Sequence, residues 1–168
     1  EVLPRGPSAR AVTETVLIRR GDRLDVPFLR SLLGFAYNWH VNAFDTIVPI
    51  SQYVDGWGRK GDTALIATEG GHSIGAAWFR LFSEGHPGYA FLDMETPEMT
   101  IVVVPTRQGQ GIGQQLLAAL IERARAQGFS ALSVSARRDH EEAALILAQG
   151  FEQVREEGET LTLRLALV

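Results

Sequence analysis

Gly109, Gly111 and Gly113 stand at alternate positions between an apolar run, Ile101-Val102-Val103-Val104, and a segment with helical periodicity. Four β-branched residues in a row read as a buried strand. Pro105 ends it, because proline has no N–H to give to a ladder. From Gly113 the apolar positions Leu116, Leu117, Leu120, Ile121 and Ala124 repeat as one face of an α-helix. Strand, glycine turn and helix N-terminus together make an anion site, because free N–H groups and the positive end of the helix dipole meet there. A Walker-type phosphate loop is excluded. It needs a Lys and a Ser or Thr after its last glycine, and the single lysine, Lys60, lies far away. A dinucleotide fingerprint is incomplete, because its third glycine would fall at Gln114.

The longer pattern is more specific. Val103, Pro105, Gln108, Gly111 and Gly113, followed by Leu116 and Leu117, fill the places of V-x-P-x-x-(R/Q)-x-x-G-x-(G/A) and its apolar helix. This stretch resembles the acyl-CoA-binding motif of the GNAT N-acyltransferase superfamily. The resemblance implies acetyl-CoA as co-substrate. It implies that backbone amides of Gly109, Gln110, Gly111, Ile112, Gly113 and Gln114 hold the pyrophosphate, and that Ile101, Val102 and Val103 pair with the pantetheine arm. Gln108 stands where the family more often has Arg. Leu145, Gly150 and Phe151 fit a second family motif, in which Ile146 takes the place of a Tyr often assigned as general acid. Isoleucine cannot donate a proton.

Asp93, Glu95 and Glu98 precede the binding strand. An N-acyltransferase must remove a proton from an ammonium before nitrogen can attack a thioester, so Glu98 or Asp93 is the candidate general base. The competing reading is a solvated acidic loop with Glu98 at a strand edge. The resemblance also implies that the first helices and their loop form a wall of the acceptor pocket. Trp39, Tyr53 and Trp78 are the candidate acceptor-binding side chains, with ordinary rim packing as the alternative for Trp39. The expected activity is acetyl transfer to a small-molecule or peptide amine by direct attack in a ternary complex. The alternative is a non-catalytic acyl-CoA-binding sensor.

These residues need a framework, and 168 residues are enough for one domain with a real core. A net charge of -4 argues against nucleic acid as the main partner. The absence of Cys excludes disulfides, thiolate metal sites and a cysteine nucleophile. No metal site, no membrane span and a cytoplasmic location are expected, as monomer or homodimer. Residues 1–11 read as a disordered tail and 12–168 as a single domain.

The expected order is β-α-α-β-β-β-α-β-α-β-β. Strands are expected at Thr13 to Arg20, Thr63 to Glu69, Ser73 to Leu81, Ile101 to Val104, Ala131 to Ser135, Phe151 to Glu156 and Thr160 to Leu167. Asp25 is read as a cap on the first helix, Ser51 as the cap of a short helix to about Trp57, and Ala144, Leu145 and Ala148 as the inward face of the last helix. Gly75 and Ala76 suggest a bulge or close approach. The fold class is α/β: a mixed, mostly antiparallel sheet with helices on both faces.

Overall fold

The computed structural model describes residues 15–42 and 48–168, with side chains described through 40 and from 48 onward. Seven strands form one sheet: β1 (Val16–Arg20), β2 (Thr63–Glu69), β3 (His72–Arg80), β4 (Glu98–Val103), β5 (Ala131–Arg137), β6 (Glu152–Glu157) and β7 (Thr160–Ala166). Their spatial order is β1-β2-β3-β4-β5-β7-β6. Only β4 and β5 run parallel; every other neighbouring pair is antiparallel. Three α-helices accompany the sheet: α1 (Val26–Tyr37), α2 (Ile112–Ala126) and α3 (Glu141–Ala148).

The alternation of side chains along each strand sorts the core into two layers. Ala64 and Ile66 of β2, Ala76 and Trp78 of β3, and Val102 of β4 pack with Leu29, Leu32, Leu33 and Tyr37 of α1. Leu65, Ala77, Phe79, Met99, Ile101, Leu132 and Val134 face the other way and pack with α2 and α3. Helices thus cover both faces, as the sequence led us to expect.

Two backbone devices hold the centre in register. Ala67 pairs with Gly75 and Thr68 with Ser73, so Ile74 is an extra residue in β3. This bulge turns Ile74 onto the α2 face. Gly75 allows a close approach: a Cβ there would lie 3.1 Å from the Val102 carbonyl oxygen and 3.3 Å from Leu116. The expectation of a bulge or close approach at this point is met on both counts.

Several local readings need correction. The first strand begins at Val16, residues 13–14 lying outside the described part, as does the expected tail. Asp25 does not cap α1 with its side chain. Its carboxylate accepts from the Asp22 N–H and pairs with Arg19 at 2.7 Å, while Asp22 caps the preceding 3-10 turn. The second helix is replaced by 3-10 turns at Asn38–Asn42 and Ile50–Tyr53, flanking residues 43–47, which lie outside the description. A helix from Ser51 to Trp57 does not form, because the Gln52 and Asp55 carbonyls accept from the Arg80 guanidinium and Gly56 has a φ of 66°. In α3 the inward residues are Ala143 and Ile146, whereas Ala144 and Ala148 are exposed. Leu145 turns toward Gly113, where a Cβ would meet it at 3.3 Å.

Arg80 ties the segment after the 3-10 turn to β3. It is fully buried and makes two hydrogen bonds to Asp62, with N···O as short as 2.6 Å, and lies 5.3 Å from the Trp57 ring centre. Removing one partner of such a pair strands the other charge in a low dielectric. Asp62→Ala is expected to cost about 3–5 kcal/mol in chemical denaturation. A loss under about 1 kcal/mol would show that water reaches Arg80.

Candidate functional site

β4 and β5 pair at a single position, Glu98 with Ser133, and the Ser133 N–H reaches back to the Pro97 carbonyl. Beyond that point no ladder joins them, although β4 continues to Val103 and β5 to Arg137. On its other side β4 remains fully paired with β3 through Val103. The backbone groups of β4 that face β5 are therefore left for another partner. A cleft of about 310 Å³ opens at this divergence. Its floor includes Ile101, Val102 and Val103, and one end is the turn that precedes α2.

That turn is shaped by its glycines. Gly109 and Gly111 have φ of 78° and 82°, in the left-handed region that other residues avoid. Gly111 is the N-cap of α2, with no side chain to occupy the helix end. The N–H groups from Gly109 to Gln114 have no protein acceptor among the described residues. Five of the residues that carry these donors, all but Gln110, line the cleft beside the helix end, which suits a phosphate group. Gln108 donates to the Val103 carbonyl at 3.1 Å and fixes the turn to the strand end. Of the ten candidate cofactor-binding residues, all but Gln110 line the cleft. Sequence reading missed the other lining residues: Phe35 from α1, Arg107 from the turn after β4, and His140, Glu141, Glu142 and Leu145 from α3 and its N-cap. Phe35 carried a signal, being a large apolar residue off the buried stripe of α1, and it is 58% exposed.

The acidic cluster is divided by the fold. Glu98 is 1% exposed, which overturns the reading of a solvated residue at a strand edge. Its carboxylate accepts from the Tyr53 hydroxyl on one oxygen and from the Ala90 N–H, at 3.1 Å, on the other. Gly88 closes the third side. A Cβ on Gly88 would overlap the Glu98 carboxylate and lie 2.8 Å from the Tyr53 hydroxyl oxygen. Burial pushes the Glu98 carboxyl up to about 7, against the lowering effect of the Tyr53 and Ala90 hydrogen bonds and of Arg155. Burial also holds the Tyr53 and Tyr37 hydroxyls well above the usual phenol range, so both keep their protons. Asp93 differs. Desolvation is the largest single effect on it, but the hydrogen bonds from Thr96 and Glu95 together outweigh it, and its pKa is lowered. Asp93 closes an exposed turn and is the weaker base; Glu95 is exposed beside it.

The aromatic candidates also separate. Tyr53 lies fully buried, stacked on Tyr37 at 4.3 Å between centroids. Tyr37 in turn shares a hydrogen bond with Thr100 of β4. Trp78 is a core side chain, 1% exposed, with its indole N–H on the Tyr53 carbonyl. Its indole donor is used and its ring covered, so Trp78 does not face an acceptor. Trp39 is half-buried and stacks on His40, which stacks in turn on Tyr89. Burial pushes the His40 imidazole down to about 4, so it is neutral, and its Nε2 has no partner among the described residues. Neither Glu98 nor any of the three aromatic candidates lines the cleft.

The profile of the acetyltransferase (GNAT) family matches residues 28–151. No curated protein sequence matches the chain. Among solved structures, ribosomal-protein-alanine N-acetyltransferase from Brucella melitensis is 26% identical, with a TM-score of 0.64 over 89% of this chain and 99% of that one. The Salmonella typhimurium protein yncA, solved with its cofactor acetyl-CoA, is 22% identical, with a TM-score of 0.68 over 91% and 94%. A phosphinothricin acetyltransferase from Sinorhizobium meliloti, in complex with acetyl-CoA, is 19% identical, with a TM-score of 0.61 over 90% and 88%.

The contact between Gly88 and Glu98 gives a direct test of the site's geometry. Gly88→Ala is expected to cost about 1–3 kcal/mol by overpacking. In a double-mutant cycle with Glu98→Ala most of that cost should vanish, a coupling of about 0.5–3 kcal/mol. Additive costs in urea denaturation would mean that the loop can move off the carboxylate.

Proposed function

Because this chain belongs to the GNAT acetyltransferase family, we propose that it transfers an acetyl group from acetyl-CoA to an amine. The observation that carries this reading is the divergence of β4 from β5 beside a glycine turn with six free N–H donors. An acyl-CoA has the matching chemistry: a pyrophosphate for the turn and amide groups for an open strand edge. The acetyl-CoA in the Salmonella and Sinorhizobium structures supports the same assignment. The amine acceptor draws support from the names of two neighbours, one for alanine of a ribosomal protein and one for phosphinothricin.

In the proposed reaction the neutral amine nitrogen attacks the thioester carbonyl carbon. The C–N bond forms, the C–S bond breaks, the nitrogen gives up its remaining surplus proton to solvent, and CoA departs as a thiolate that takes a proton from solvent. Backbone N–H groups at the open edge of β4 polarise the thioester oxygen. Glu98 is the base that accepts the proton lost by the ammonium. A carboxyl near 7 is matched to that task at neutral pH. The seal formed by Tyr53, Gly88 and Ala90 prevents direct contact with the amine, so the proton travels through a relay. Ser133, the register partner of Glu98, has a buried hydroxyl without a partner among the described residues and serves that path, together with water. The Ile146 side chain is packed in the core and has no part in the chemistry.

Thiol release from acetyl-CoA against a panel of amines and peptide N-termini tests the activity. Turnover with at least one acceptor is expected; binding without turnover of any acceptor would favour the acyl-CoA sensor. At saturating acetyl-CoA, kcat should rise with pH through about 7, because Glu98 must be ionised to accept a proton. Glu98→Gln should lower kcat by roughly 10²-fold and remove that limb, leaving acetyl-CoA affinity unchanged. An unchanged pH profile would take the base role from Glu98.

Gly111→Asp places a carboxylate at the N-cap of α2, where the donors converge. The folded variant is expected to lose acetyl-CoA binding in calorimetry. Unchanged affinity would move the phosphate site elsewhere.

A further inference from the structure

Glu142 is the most deeply set acidic group in the cleft wall, and the reaction described above does not use it. It lies in the first turn of α3 and lines the cleft with Phe35, Ile101, Val102, Val103 and Leu145. Its neighbour Glu141 is exposed, whereas Glu142 is half-buried. Among the described residues Glu142 has neither a hydrogen-bond nor an ion-pair partner. A carboxylate without a cation, against apolar walls, is poorly solvated before any ligand enters. A ligand that fills the cleft removes more of the water on which its charge depends.

We propose that Glu142 is a ligand-contacting residue of the acyl-CoA cleft, binding as the neutral acid and donating its O–H to an amide carbonyl oxygen of the pantetheine arm. This rests on the acyl-CoA reading of the cleft. An acyl-CoA arm brings no cation to compensate an ionised carboxylate, while its amide carbonyl oxygens are acceptors for a protonated one. Desolvation already brings this carboxyl up to about 7 in the free protein. The first-turn position in α3 favours the anion, but the apolar walls and the loss of water outweigh it. The groups around Glu142 do not reverse this. Tyr37, from α1, stays neutral; Arg107 lies in the turn after β4; His140 and Glu141 flank it on its own segment, and none of these pairs with it. Binding then takes up a proton above neutrality, and affinity falls as pH rises.

The test is isothermal titration of the full chain with acetyl-CoA at pH 7, 8 and 9, in two buffers that differ in ionisation heat. For the wild type we expect uptake approaching one proton per site at pH 8 and a dissociation constant that rises roughly 50-fold from pH 7 to pH 9. Glu142→Gln keeps a donor and cannot ionise, so its affinity should stay flat across the range with no proton uptake. Glu142→Ala should also be flat and roughly 2- to 10-fold weaker than Glu142→Gln. A pH dependence that persists in Glu142→Gln would assign the effect to another group and overturn the proposal. PH-independent binding by the wild type overturns it as well and leaves the acyl-CoA reading intact. Absence of binding at every pH overturns both.

Discussion

The constraint on which this molecule depends is the failure of β4 and β5 to stay paired. Parallel strands joined by a crossover helix normally form a continuous ladder. Here one register position holds, Glu98 with Ser133, and then the strands part. Two things follow from that geometry. The sheet gains an open edge in its interior, where backbone donors and acceptors are ordered but unmatched. The same split brings the N-termini of α2 and α3 to one rim, since each helix follows one of the diverging strands. Binding surface and phosphate-binding end thus arise from one departure from regular pairing. β3 makes it affordable by holding β4 along its whole length, with Gly75 allowing the close approach.

The second organising feature is the sealed carboxyl at the point of divergence. Glu98 sits where the parallel pair is still closed, so its backbone is fixed from both sides. Tyr53 reaches it from the 3-10 turn, and that turn is anchored in turn by Arg80 and Trp78. A carboxyl is kept near neutrality only where burial is large and compensation incomplete. Two hydrogen bonds and, among the described residues, no cation in direct contact meet that condition. Asp93, five positions earlier, has the opposite balance and stays acidic.

Much of this was legible in the sequence, and the pattern of success is informative. The glycine turn could be read because its chemistry is local: positive φ at Gly109 and Gly111 and a helix starting at once. The β2–β3 hairpin was legible for the same reason, with paired glycines between two alternating runs. The burial of Glu98 was not, since it depends on Gly88, Ala90 and Tyr53 folding over it from outside β4. Trp78 looked like a recognition residue and is a core residue, because an aromatic on a strand gives no hint of which layer covers it. The phase of α3 was misread because its apolar residues surround it almost completely. Ala143 and Ile146 went inward and left Leu145 to pack on Gly113. Glu142 passed unnoticed for the same reason: its direction follows from that phase.

Gly88 carries an implication for how such a site can change over generations. Backbone there occupies the ground on which a side chain would collide with the Glu98 carboxylate. Positions 88 and 98 therefore behave as one heritable unit, although they lie in a loop and a strand. A lineage that trades the glutamate for a small residue is afterwards free to let position 88 drift toward alanine or serine. Once it has done so, restoring the acid alone carries an overpacking cost of about 1–3 kcal/mol unless the glycine returns first. A single absent methyl group thus acts as a ratchet on the history of the buried acid.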